Sequence, residues 1–178
     1  MNSRCAFAIS AALFLVIHGA RAADSDLNIT CDKKRIELAT DSHSRSDSTT
    51  TTEQWGYAVT VENQGFKALT NLDVQYIIFY KHEELGIKGP PRKLTKKGAY
   101  TIASLESLGK TSFDTDSVTL KKTTLVGSDG GYLYFTNGAK PTASDSLSGL
   151  WVRVFQNGNL YAEYAYPAGL SSSERWQE

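Results

Sequence analysis

Residues 58–80, AVTVENQGFKALTNLDVQYIIFY, decide the fold. Just before and into this stretch, Trp55, Tyr57, Val59 and Val61 alternate with Gly56, Ala58, Thr60 and Glu62. Alternation of β-branched and aromatic residues with small or polar ones is the pattern of a half-buried strand. Asn63 and Gly65 then release the chain into a turn, and Leu69 and Leu72 return it to the core. Beyond the turn, Leu72, Val74, Tyr76, Ile78 and Tyr80 alternate with Asp73, Gln75, Ile77 and Phe79. The second half of that run is apolar in both phases, which predicts a central strand.

The rest of the chain repeats this alternation of strands and turns. Residues 27–40, LNITCDKKRIELAT, read as one or two short strands with Ile36 and Leu38 on one face. Residues 41–54 hold no apolar side chain, so they have nothing to bury and read as a polar loop. Residues 86–98, rich in Pro, Gly and Lys, read as an exposed loop or edge. Residues 131–137, GYLYFTN, read as a short strand or a turn of helix. The clearest unit is GLWVRVFQNGNLYAEYAYPAG, in which Asn157-Gly158 separates two alternating runs. Both residues tolerate the positive φ of a type I′ turn, so this is a hairpin. Closely spaced strands without a helical period predict an all-β protein: one antiparallel, immunoglobulin-like β-sandwich of seven or eight strands over residues 23–170. A polar tail, residues 171–178, follows.

The first 22 residues stand apart from the domain. Arg4 precedes the apolar run CAFAISAALFLVI, and Ala20-Arg21-Ala22 closes the segment in an A-x-A pattern. That is the layout of a cleaved secretory signal peptide, and the run is short for a membrane span. We therefore expect an exported protein, periplasmic or at the cell surface. The remaining 156 residues carry 17 basic and 19 acidic side chains. This near-balance gives no reason to expect nucleic acid or an anionic membrane as a partner. Cys31 is the single cysteine left, so no internal disulfide is expected; it reads as a small buried apolar residue.

The unit VTVENQGFKALTNLDVQYIIFY, with its V-x-V-x-N-x-G core, resembles the cell-adhesion-related bacterial domain and its fibronectin-like and immunoglobulin-like neighbours. The phrase IASLESLGKTSFDTDSVTL is similar to that family's turn-and-strand segment, and VRVFQNGNLYAEY stands where its last two strands would fall. The resemblance spans residues 55–165. It implies adhesion, scaffolding or accessory binding by an exported module, and it brings no catalytic residues.

Direct signs of chemistry are few. His43 and His82 sit in polar surroundings and read as solvated, and the segment HEE lacks the second His of a helical zinc motif. Carboxylates are plentiful, but nothing selects the pair that a glycosidase needs. The segments DTDS and SDGG do not match a calcium loop and read as turns. We therefore expect no enzyme activity, no cofactor and no metal. The expected role is binding to a protein partner or cell-envelope component. The alternative is a carbohydrate-binding module using exposed aromatics. Tyr161 is out of phase with Leu160 and Tyr164, so it is the aromatic expected to face water beside Trp151 or Arg153. Trp151, Arg153 and Tyr161 are thus the candidate ligand-facing residues.

Overall fold

The computed structural model describes residues 26–42, 48–125 and 135–176. The expected signal peptide, His43, SDGG and most of GYLYFTN lie outside the described residues. Nine strands are described: β1 (Leu27–Ser42), β2 (Ser48–Asn63), β3 (Leu69–His82), β4 (Arg92–Leu105), β5 (Lys110–Asp114), β6 (Val118–Leu125), β7 (Thr142–Ser144), β8 (Ser146–Gln156) and β9 (Asn159–Tyr166). A four-residue helix, α1 (Leu170–Ser173), follows. The fold is all-β, with two antiparallel sheets. One runs β1-β2-β6-β7, with β5 pairing β2; the other runs β4-β3-β8-β9.

The core follows the alternation of the opening stretch. Tyr57, Val59 and Val61 of β2 face Leu72, Val74, Tyr76 and Ile78 of β3 and Leu150, Val152 and Val154 of β8, all buried in one cluster. Burying one such aliphatic side chain is worth about 1.5–3 kcal/mol, so these central strands hold the sheets together. Between β2 and β3 the turn is clamped from inside. Asn63 is 1% exposed. Its Nδ2 donates to the carbonyls of Lys67, Leu105 and Glu106, and its Oδ1 accepts from Gly65 N–H. The V-x-V-x-N-x-G spacing places this amide where it ties the β2–β3 turn to the β4–β5 turn.

The Asn157-Gly158 hairpin forms as expected, with φ of 52° and 78° at the two residues. The expected polar loop over residues 41–54 needs correction, because Ser48–Gln54 belong to β2. There β2 lies between β1 and β6, with Thr49–Thr52 opposite residues 39–42 on one side and 121–124 on the other. Threonine is β-branched and suits a pleated sheet without needing burial. Ile36 and Leu38 also depart from simple alternation: the β1–β2 register shifts between Arg35 and Glu37, leaving Ile36 as the extra residue of a bulge.

The C-terminal segment also differs from a free tail. The outer face of the second sheet carries Ile77, Phe79 and Trp151, and Leu170 completes a buried cluster with them, packed by Ala165 and Trp176. This accounts for β3 being apolar in both phases: Ile77 and Phe79 are covered by the chain's own end. A Cβ on Gly149 would collide with the Tyr166 carbonyl oxygen and the Leu170 side chain, so the strap fits only over a glycine there.

Candidate functional site

Trp151 and Arg153 project from β8 beneath that strap. Trp151 is 6% exposed, and its Nε1–H donates to Glu163 Oε1 at 2.7 Å. Arg153 Nε donates to the same oxygen at 2.9 Å. The Arg153 guanidinium stands 4.4 Å from the Trp176 ring centroid and 5.3 Å from that of Trp151, and the two indoles meet edge-on at 5.7 Å. Arginine over indole is a favourable cation–π arrangement. The group is closed on itself: carboxylate, guanidinium and both rings spend their contacts on one another. Tyr161 is elsewhere. The β8–β9 register shifts between Val154 and Phe155, which leaves Leu160 44% exposed while Tyr161 packs against the main core. The structure therefore brings Trp151 and Arg153 together, adds Glu163 and Trp176, and separates Tyr161 from them. These residues do not form an open stacking face.

A second region is the outer edge of β1. Among the described strands β1 pairs only with β2, along its whole length. Residues 32–39 are exposed throughout, and Ile36 and Leu38 are 51% and 53% exposed. Lys34 is ion-paired with Asp114 and Arg35 with Glu53, and Arg35 also lies 6.0 Å over the Trp55 ring. Lys34 and Arg35 are thus anchored inward on β5 and β2, while the apolar pair is left outward.

Where β1 approaches β9, three acidic-hydrogen groups are packed close together. The Cys31 thiol lies 3.9 Å from the Tyr164 hydroxyl, and the buried Tyr57 hydroxyl has no hydrogen-bond partner among the described residues. Burial pushes the Tyr164 phenol up to about 12, raises Tyr57 further, and raises the Cys31 thiol. Cys31 is half-buried rather than enclosed.

The third region is a cleft of about 420 Å³ at the end of β3, between residues 82–92 and 138–142. His82 lines it, which corrects the reading of that residue as merely solvated. Its Nδ1 lies 2.8 Å from Asp145 Oδ1, and the Asp145 side chain is 5% exposed. The same carboxylate accepts from the backbone N–H groups of Glu83 at 3.1 Å and Lys121 at 3.0 Å. Arg92 is the cross-strand partner of His82. No sequence spacing could have joined His82, at the end of β3, to Asp145, between β7 and β8, because the two meet only in the folded sheets. Among the described residues no group of three His, Cys, Asp or Glu is placed to hold a metal ion.

No family model matches the chain, and no curated protein matches it. Among solved structures it is similar to Northeast Structural Genomics Consortium target SoR45, at 12% identity over 86% of this chain and 96% of that one, with a TM-score of 0.36. It is also similar to a crystal structure from Akkermansia muciniphila, at 12% identity over 84% of this chain and 77% of that one, with a TM-score of 0.23. Both likenesses are too distant to carry an argument about fold or function.

Proposed function

We propose that this chain is a non-enzymatic exported module with an immunoglobulin-like β-sandwich, and that it binds another protein of the cell envelope or surface along the exposed outer edge of β1, residues 32–39. The observation that carries the reading is that edge: among the described strands β1 pairs with β2 alone, residues 32–39 are exposed, and Ile36 and Leu38 are turned out to solvent. An unpaired edge offers a row of backbone donors and acceptors to an extended partner segment. The bulge at Ile36 interrupts that row, which disfavours indiscriminate strand pairing and leaves recognition to the side chains on either side of it. The resemblance to the cell-adhesion-related domain supports the same role. A sugar platform built on Trp151, Arg153 and Tyr161 has no such support, because the first two are engaged under Trp176 and the third packs inward.

The test is capture from envelope extract by the immobilised full chain. We expect one protein, retained stoichiometrically and saturably, with Leu38→Glu and Ile36→Glu each weakening retention at least tenfold and Phe66→Ser leaving it unchanged. Retention that ignores both β1 substitutions would overturn the assignment of the edge.

A further inference from the structure

We infer that the cleft at the end of β3 is a binding site for a small carboxylate-bearing ligand, with Arg92 taking the carboxylate and His82 accepting from a donor group on the same ligand. This does not depend on the β1 edge. The cleft lies in the size range of small-molecule sites, about 300–1,000 Å³. Directly opposed residues on neighbouring antiparallel strands hold their Cβ atoms about 4.5–5.5 Å apart on one face of the sheet. His82 and Arg92 are such a pair, and both line the cleft.

The imidazole is held in one orientation. Asp145 Oδ1 already accepts the Glu83 N–H, so it acts as acceptor toward His82 as well, and Nδ1 carries the proton. That leaves Nε2 as an acceptor for a hydroxyl or ammonium donor of the ligand. A buried carboxylate fixed by two backbone N–H groups behind a histidine is a positioning arrangement that serves recognition as well as it serves catalysis.

The charges around this pair set the ligand class. Lys88, Arg92 and Lys140 line the cleft, and among the described residues none of their side chains is held in a side-chain hydrogen bond or an ion pair. Of the two carboxylates present, Glu83 is engaged through Oε2 by Ser144 N–H, whereas Glu84 is exposed. A guanidinium matches a carboxylate with two parallel hydrogen bonds, and the lysines add point charge around it. Glu84 then suits hydroxyl or ammonium donors elsewhere on the same ligand, and Pro91 offers an apolar wall. Both a sugar acid and a free amino acid or dipeptide combine one carboxylate with such donors.

The experiment is titration of the full chain with D-glucuronate and, separately, with dialanine, followed by calorimetry and by amide NMR. We expect saturable binding of at least one, with shifts centred on residues 82–92 and 138–142. Arg92→Gln, an exposed position that leaves the sheets intact by circular dichroism, lowers affinity at least tenfold, and Lys140→Gln lowers it less. Binding of glucuronate alone identifies a sugar acid as the source, dialanine alone a peptide or amino acid, and both the shared carboxylate. Three results would each overturn the proposal: neither probe binds, inorganic phosphate binds as tightly as the better probe, or Arg92→Gln leaves the affinity unchanged.

Discussion

Asn63 and Tyr57 mark opposite outcomes for a buried polar atom. All of the Asn63 amide's groups find partners, so Asn63→Ala strands three carbonyls and one N–H at the join of two turns. A stranded buried group costs about 1–3 kcal/mol, and the partners here share one site. We expect the substitution to lower the unfolding free energy by about 2–3 kcal/mol in urea titration; a loss below about 0.5 kcal/mol would show the clamp to be dispensable. Tyr57 is 1% exposed, yet its hydroxyl has no partner among the described residues. Removing it takes away a desolvated dipole and leaves the ring in place. Tyr57→Phe should therefore leave stability unchanged or raise it by up to about 1 kcal/mol, where an ordinary buried tyrosine would lose stability. The sequence marks Asn63 as a turn residue and Tyr57 as core, and both readings hold. Their hydrogen-bond status was not legible there, because the carbonyls that satisfy Asn63 include two from the β4–β5 turn, 42 and 43 residues further along.

At the scale of elements, the C-terminal strap is the feature that alternation could not reveal. Ile77 and Phe79 announce a covered outer face, but the cover is Leu170 and Trp176, which sit among polar residues with no periodic signal of their own. Trp176→Ala removes an indole from Trp151 and from the Arg153 guanidinium, while the Lys93–Glu174 ion pair at 2.6 Å remains on the surface. Aromatic pairs and cation–π contacts contribute about 0.5–1.5 and 0.5–2 kcal/mol. We expect a loss of about 1–3 kcal/mol, with red-shifted emission from Trp151 as its ring meets water. Unchanged emission would mean that Trp176 does not cover it. The threonine run of β2 was hidden for a different reason. Strand pairing on both sides supplies its backbone hydrogen bonds, and Thr50 meets Thr123 across the sheet at 3.2 Å, so the run needs no apolar face to stay in the sheet.

Across the whole molecule, the packed phenols and thiol link stability to alkaline pH. Cys31, Tyr57 and Tyr164 ionise less readily in the folded chain than in the unfolded one, whose reference values are 9.0 for the thiol and 10.0 for the phenols. The native state then holds more protons over that window, so stability is complete below pH 9 and falls as pH rises above it. The fall steepens between pH 10 and about 12, where the Tyr164 phenol titrates in the folded state. Denaturation curves from pH 7 to 11 should be flat at first and then decline, with a shallower decline in Tyr57→Phe. Stability that stays constant to pH 11 would contradict the enclosure of these groups between β1 and β9.

The same edge strand carries the central functional claim, and its length was only partly legible in the sequence: residues 27–40 read as strand, but the pairing that extends β1 to Ser42 depends on the hidden half of β2. Hydrogen–deuterium exchange on the complex recovered from envelope extract tests the claim most directly. The account predicts new protection of the amides of residues 33–39, with those of β9 unchanged. Protection confined to other strands, with β1 exchanging as in the free chain, would contradict it.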